Sequence, residues 1–545
     1  MANTASQGVY SPLPQSLSDS DSEKEMPITV RPKFTECHVQ NGVHENIHHN
    51  GYIRPLQLMK IPEVRKVTPA MSPKRKFCFI FSIAVCFLTI IVFLWVLPCS
   101  ESGTCPVQIS NWENQHDGIE LTGKINAVKS AFKNTLNLAL FFRRNLNAAD
   151  SQSGVISVLG NNGAVAWYIP QVQTPTDLNC YLVDVNGDDI NDCLVLGEMG
   201  LEAIDPVSGT IFWHAHNHSQ SKVISGLDFP ERLQDVNHDN INELLTTKNS
   251  ETEQGKFLVI SGKTGVLEGE VTVERCREIH IIEMNSTSIV YSCKNENRTT
   301  YHQVLVNELL NKIFNRSQVI STPKINFVPK SDVGYALNGR KLIINNVGLC
   351  PNNCRVDITL IDEKNNRNVI SSSYPNSYAL TPASFSFRPT KSNLSSLKGH
   401  VNGFILKFWQ WFGYNRKDKK RRYNPSIVKR YIPGNNASIQ VNSIMERVVL
   451  ITFNSTHFHV INASLTEITQ LCFPNDDFKY CQPSLENQNN SLLISDLDMD
   501  GSQELVSYSS TFIKRDDAKE NWQLVSNMKV IRLEAELPKL YEVAK

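Results

Sequence analysis

One nine-residue pattern occurs three times in this chain, each time between two apolar runs. The copies read Asp184-Val-Asn-Gly-Asp-Asp-Ile-Asn-Asp192, Asp235-Val-Asn-His-Asp-Asn-Ile-Asn-Glu243 and Asp496-Leu-Asp-Met-Asp-Gly-Ser-Gln-Glu504. Carboxylate or amide oxygens recur at positions 1, 3, 5 and 9, the arrangement by which a short loop wraps a hard cation such as Ca²⁺ in six or more oxygens. The predicted ligands are Asp184, Asn186, Asp188 and Asp192; Asp235, Asn237, Asp239 and Glu243; and Asp496, Asp498, Asp500 and Glu504. Ile190, Ile241 and Ser502, at position 7, would offer backbone carbonyls. An EF-hand is excluded. Its loop needs a carboxylate at position 12, where this chain has Val195, Thr246 and Ser507. Position 6 needs a sharp turn and is Asp189, Asn240 or Gly501, all residue types that tolerate positive φ.

The flanks are strands rather than helices. Asn-Cys-Tyr-Leu-Val (179–183) and Ser-Leu-Leu-Ile-Ser (491–495) precede loops; Cys-Leu-Val-Leu (193–196), Leu-Leu-Thr-Thr (244–247) and Leu-Val-Ser-Tyr (505–508) follow them. Short β-branched and apolar runs of this kind pair as β-structure. The first two copies start 51 residues apart and the third lies 261 beyond the second, close to five such periods. A fainter copy is expected at Val441–Glu446. Periods of about 40–50 residues with several strands apiece indicate propeller blades. A second signal repeats with them: a strand, a tight turn and a strand ending in Trp, as in Gly200–Trp213 and Ile156–Trp167, with Phe257–Leu267 and, more loosely, Phe458–Thr466 of similar shape. Gly or Asn supplies the backbone freedom that such hairpins need.

Residues Phe77–Leu97 are 21 consecutive uncharged residues rich in Phe, Ile, Leu and Val. At 1.5 Å rise per residue they would span a bilayer core of about 30 Å. Lys74-Arg75-Lys76 abut the N-terminal end, and no Lys or Arg appears from Pro98 through Leu121. The positive-inside rule puts the N-terminus in the cytosol and the C-terminus outside. Seventy-six residues precede the run, which favours a signal anchor over a cleaved signal peptide. Nine Asn-x-Ser/Thr acceptors, at Asn217, Asn285, Asn297, Asn315, Asn393, Asn436, Asn454, Asn462 and Asn489, all lie beyond it. Ten of the thirteen cysteines do too: Cys99, Cys105, Cys180, Cys193, Cys276, Cys293, Cys350, Cys354, Cys472 and Cys481. They fall in close sequence pairs, as disulfides of an oxidising compartment would. Sequential pairing would staple the strands around the first loop through Cys180 and Cys193. Three domains follow: a cytoplasmic tail (1–76), a transmembrane anchor (77–97) and a luminal or extracellular β-propeller (98–545).

Composition excludes one class. With 54 basic and 54 acidic residues, the chain lacks the basic surplus of a nucleic-acid binder. The tail is rich in Ser, Pro, Asn and Glu and reads as disordered. Tyr10-Ser-Pro-Leu13 has the form of a cytosolic adaptor-binding peptide, and Ser18-Asp-Ser-Asp-Ser-Glu23 that of an acidic, phosphorylatable cluster. His44-Glu-Asn-Ile-His48 matches a zinc-protease pattern but sits among Asn and Gly, where no helix would hold both His on one face. His214, His216 and His218 alternate along a strand; with no carboxylate expected in register, they read as an exposed strand end rather than a metal site. The basic run Arg416–Arg422 reads as a solvated loop. Gly262-Lys-Thr-Gly265 lacks the upstream glycine of a phosphate loop and reads as a hairpin turn.

The cation loops resemble the FG-GAP repeats of integrin α-subunit propellers, and the Ile204–Trp213 hairpin is similar to repeats of quinoprotein-like propellers. A short tail, a signal anchor and one such propeller together resemble the "family with sequence similarity 234" membrane proteins. Position 9 as Glu243 and Glu504, and position 6 as Asp189 and Asn240, depart from the strictest form of the loop. Integrin leg domains and a ligand-binding insertion are not recognisable, and a quinone cofactor is not implied.

The expectation is therefore an all-β protein: a propeller of seven or eight blades on a single N-terminal helix, with structural Ca²⁺ in the blade loops. The expected function is non-catalytic recognition of a protein or glycan by a type II membrane glycoprotein of the plasma membrane or of Golgi and endosomal membranes. Two alternatives stand beside it. One is a secretory-pathway sorting receptor; the other is a quinoprotein-like or hydrolytic propeller enzyme.

Overall fold

A computed structural model of the chain describes residues 72–95 and 109–537, apart from residues 133, 145–151, 218–221, 251, 296–297, 316–318, 328–333, 352, 388–400, 412–426, 429–438, 455–456, 475–478 and 515–521. The tail motifs at Tyr10–Leu13, Ser18–Glu23 and His44–His48 lie outside the described residues. So do Cys99, Cys105, His218, the run Arg416–Arg422 and the acceptors Asn297, Asn393 and Asn436.

Helix α1 spans Pro73–Trp95, 23 residues. Phe77, Phe79, Phe81, Phe87 and Leu88 are all exposed on it. Its side chains are described as far as Ile90, and among the described residues no helix is long and apolar enough to cross a membrane. The apolar run itself continues in sequence to Leu97.

Among the described residues, the remaining strands form seven sheets of four or more strands, joined in chain order and antiparallel but for one edge pair, and a small sheet of His216–Asn217 with Lys222–Val223. Blade 1 is Ile119–Lys129, Leu136–Arg144, Ser153–Leu159 and Val165–Gln171. Blade 2 is Asp177–Val183, Asp192–Gly197, Gly200–Ile204 and Ile211–His214. Blade 3 is Glu231–Arg232, Leu244–Lys248, Lys256–Ile260 and Leu267–Val273, with Val319–Ile320 added in parallel at its edge. Blade 4 is Glu278–Met284, Ser288–Asn295, Arg298–Leu305 and Lys324–Ile325, with helix α2 (Val306–Phe314) between its last two strands. Blade 5 runs from Tyr335–Leu337 through Arg340–Gly348 and Cys354–Asp362 to Arg367–Pro375. Blade 6 centres on Val401–Trp411, Ile439–Phe453 and Phe458–Pro474. Blade 7 is Leu492–Ser495, Glu504–Lys514 and Trp522–Arg532, completed by Trp112–Asp117 from the other end of the domain.

The apolar cores lie between successive blades, which is what makes the sheets a propeller. Leu121, Leu138 and Ile156 pack with Val506, Tyr508 and Met528, joining blades 1 and 7. Trp167 and Phe141 meet Cys193 and Val195 between blades 1 and 2. Further clusters join blades 2 and 3, 3 and 4, 5 and 6, and 6 and 7. These clusters bury the facing sheets of all successive pairs but blades 4 and 5, and the seventh returns to the first.

Three tryptophans repeat one contact. The Trp112 indole donates to the Gly160 carbonyl at 2.9 Å, Trp167 to Pro206 at 2.9 Å and Trp213 to Gly262 at 2.9 Å. Each reaches from the outer strand of one blade into the last hairpin turn of the next. The turns end in Gly163, Gly209 and Gly265 at φ of +72°, +75° and +70°, and a Cβ there would come within 2.4 to 2.7 Å of the indole. Glycine is therefore required twice over, for the left-handed backbone and for the ring.

Two expected repeats are corrected. Val441–Glu446 is no loop; it lies inside the continuous strand Ile439–Phe453. Phe458–Thr466 is no hairpin; it begins the 17-residue strand Phe458–Pro474. Both strands are long because each pairs with the other along its length, broken only by a bulge at Val448/Val449. Of the expected sequential disulfides, Cys180–Cys193, Cys276–Cys293, Cys350–Cys354 and Cys472–Cys481 are formed.

Candidate metal centres

Each nine-residue loop joins the first two strands of its blade: 2, 3 and 7 respectively. The three loops fold by the same hydrogen bonds. The position 1 carboxylate accepts from the backbone three to five residues on, as in Gly187 N to Asp184 Oδ1 (2.7 Å), His238 N to Asp235 Oδ1 (2.7 Å) and Gly501 N to Asp496 Oδ2 (2.9 Å). The position 5 carboxylate accepts from the position 7 amide: Ile190 N to Asp188 (2.8 Å), Ile241 N to Asp239 (2.9 Å) and Ser502 N to Asp500 (2.8 Å). The position 9 carboxylate reaches back to position 2: Val185 N to Asp192 (2.7 Å), Val236 N to Glu243 (2.7 Å) and Leu497 N to Glu504 (2.9 Å). Position 6 has positive φ throughout, at Asp189 (64°), Asn240 (68°) and Gly501 (87°). Position 4 does too, at Gly187 (78°), His238 (64°) and Met499 (53°), a demand the sequence reading did not anticipate.

Carboxylate oxygens converge in two of the loops. Asp235, Asp239 and Glu243 each bring one oxygen within 4.8 Å of the others, and so do Asp496, Asp498 and Glu504. Asp184, Asp188 and Asp192 form no such group. The hydrogen bonds do not set it apart: as in the second loop, both position 1 oxygens accept from backbone amides and the position 3 amide donates to position 5.

The residues fit a hard cation on a further observation. Glu243 and Glu504 are fully buried and Asp498 nearly so, yet Glu243 Oε1, Glu504 Oε1 and Asp498 Oδ1 have no hydrogen-bond partner. An unmet buried carboxylate oxygen is costly unless something positive completes it. Burial raises the Asp192 and Glu504 carboxyls to about 7 despite the amide each accepts, with neighbouring acids adding to the rise. Burial also raises Glu243, helped by Glu268 and Asp235, and raises Asp498, helped by Asp500.

Two participants were not visible in the sequence. Glu268, on the strand Leu267–Val273, accepts from Asn237 Nδ2 at 2.6 Å, and its other oxygen is buried without a partner. Arg532, at the end of the strand Trp522–Arg532, lies directly across from Glu504 and binds Asp500. Neither carries a local motif; each is delivered by strand pairing from outside its loop. Beside the second loop, Val236 and Asn237 face Asn307, Leu310, Asn311 and Phe314 of α2 across a cleft of about 470 Å³.

One expectation about the histidines is corrected. A carboxylate does stand in register with His214: Glu202, its cross-strand partner, lies 3.0 Å from His214 Nδ1 and also accepts from Gln171 at 2.8 Å. His216 Nδ1 instead contacts the His214 carbonyl at 2.9 Å.

Fold and loops together define a β-propeller with oxygen-rich loops between the first two strands of some blades. Residues 150–317 match the family profile described as "FAM234A/B beta-propeller". Over this stretch the chain is similar to the FAM234A/B propeller proteins. It is 22% identical to Protein FAM234A of Rattus norvegicus over 37% of this chain and 38% of that protein, and 24% identical to Protein FAM234A of Bos taurus over 36% and 38%. The match thus spans well under half the length of these relatives. Among solved structures, a europium-containing methanol dehydrogenase is similar over 76% of this chain and 92% of its own, at 9% identity and a TM-score of 0.27. The WD40 domain of SCAP from fission yeast is similar over 76% and 98%, at 9% identity and a TM-score of 0.23.

Proposed function

We propose that this protein is a membrane-anchored, non-catalytic recognition protein whose propeller is stabilised by Ca²⁺ in its blade loops and offers its surface to a protein or glycan partner. The observation that carries the calcium reading is the set of buried, partnerless oxygens on Glu243, Asp498 and Glu504, held where the loop carboxylates converge. Bound Ca²⁺ would supply charge and coordination to these oxygens; the chain supplies the prefolded loops. Affinity is expected in the range of extracellular modules, about 10⁻⁴–10⁻³ M.

The anchor reading rests on α1 and the apolar run to Leu97, flanked by Lys74-Arg75-Lys76. The luminal reading of the propeller is supported by its four disulfides and by exposed acceptors such as Asn285, Asn315 and Asn462. Propellers serve many unrelated functions, so the partner is not read from the fold.

Proximity labelling from a tag fused at the C-terminus tests the recognition role. Reproducible luminal or cell-surface neighbours are expected; neighbours confined to cytosolic proteins would overturn both topology and role. The expected loss of melting temperature on chelation, reduced in Asp498→Ala, tests the metal.

A further inference from the structure

The second and third loops meet opposite charges from the strands beside them. Glu268 stands beside the second and adds a carboxylate to Asp235, Asp239 and Glu243. Arg532 stands beside the third. Its Nη2 binds the Asp500 carboxylate and donates to Ser502 Oγ at 2.6 Å, and its Nη1 lies 4.0 Å from Asp498 Oδ2. The side chain is mostly enclosed, and the carboxylates in turn hold its pKa above the usual guanidinium value against the effect of burial.

Resting on the calcium reading of the loops, we propose that Arg532 is a built-in counter-cation of the third loop, and that a divalent cation binds there only in exchange for it. One contact carries the exchange. Asp500 is position 5, whose carboxylate the loop would turn toward a metal, and it is engaged by the guanidinium nitrogen that also donates to the neighbouring Ser502 hydroxyl. A guanidinium stays charged at any physiological pH, so it repels an arriving cation as well as blocking it. Yet it does not complete the loop: Asp498 Oδ1 and Glu504 Oε1, on residues 3% and 0% exposed, remain without partners. The loop is therefore neutralised in part and still has unmet demand, the condition for exchange rather than permanent replacement.

The exchange bears on the ring seam. Arg532 N donates to Asn111 at 2.8 Å, and Asp498 Oδ2 accepts from Ile109 N at 2.7 Å. Both contacts hold the segment that leads into Trp112–Asp117, the strand that completes blade 7. Swinging Arg532 out and drawing Asp498 onto a cation loads the seam differently from the arginine-bound state. Loops one and two have no such link to the seam among the described contacts.

The test is calcium titration of the full-length protein in detergent, after stripping with chelator, by calorimetry together with bound-metal analysis. The expected result is that Arg532→Gln tightens the weakest binding step at least about tenfold, within the usual range of site coupling, or adds one bound ion. Glu504→Gln should abolish that same step in either background. Glu268→Gln should weaken a different step and leave this one in place. Arg532→Lys keeps the charge without the fork and should shift the step in the same direction but less; it serves if the Gln variant does not fold. An Arg532→Gln protein whose Glu504-dependent step is unchanged or weaker overturns the proposal while leaving the calcium reading intact. No calcium uptake by wild type, Arg532→Gln and Glu268→Gln alike overturns both.

Discussion

Blades 7, 1, 2 and 3 are built on one plan, and blades 4, 5 and 6 on another. The first group carries all three cation loops and the outer strands whose tryptophans dock into the next blade. In the second group the first hairpin of blade 4 is a tight turn in which Asn285 Oδ1 accepts from Thr287 N and Ser288 N, with no room for a nine-residue loop. Blade 5 turns through Asn338 and Gly339, both at positive φ. Blade 6 has strands of 15 and 17 residues and a buried charge pair instead. Lys407 Nζ lies 3.1 Å from Glu446 and donates to the Tyr508 carbonyl at 2.6 Å, while the Trp409 indole donates to Glu446 at 3.0 Å. Burial pushes the Lys407 ammonium down and Glu446 opposes it. Adjacent blades must be held in register somehow. One group does it with a local device repeated blade by blade; between blades 6 and 7 a buried polar knot takes its place.

That contrast is open to attack at each point. The largest effect is expected at the knot. Glu446→Gln leaves Lys407 buried without its counter-charge and should cost about 3–5 kcal/mol in chemical unfolding, most of it recovered when Lys407→Met is added. Full stability in the single variant would remove the knot from the account. Next, Cys180→Ala with Cys193→Ala should cost about 2–4 kcal/mol, since the bridge closes the first loop; the loss should exceed that of any one loop carboxylate. Trp213→Phe keeps the ring's bulk but not the bond to Gly262, and should cost about 1–2 kcal/mol. A null result there would reduce the repeated docks to simple packing. Smallest is calcium removal: with the ion at about ten times its dissociation constant, chelation should cost about 1.4 kcal/mol per site, read as a lower melting temperature. Glu243→Gln should blunt that response, and a substitution in the blade 4 turn such as Asn285→Gln should not.

The regular half was the legible half. Its loops announce themselves through side-chain oxygens at fixed spacing, and its hairpins through Gly at turn ends and Trp at strand ends. What the tryptophans touch was not legible, because Gly160, Pro206 and Gly262 belong to the next repeat. Glu268 and Arg532 were missed for the same reason: each reaches its loop across a sheet, about 25 to 30 residues from the motif. Glu202 opposite His214 also needed the actual register. Blade 6 misled outright. Asn442 and Asn462 there imitate turn chemistry, whereas extended pairing between the two segments overrides those local preferences.

Among the described residues, the strand Trp112–Asp117 pairs with Trp522–Arg532 alone, roughly four hundred residues later in the chain. At ribosomal speeds of about 5–20 residues per second, it waits about 20 to 80 seconds unpaired after it emerges. Six blades can assemble in that interval, but the circle stays open. Quality control in the cell therefore has a natural target in this protein: a nearly finished ring whose last gap is an exposed β-edge beside blade 1.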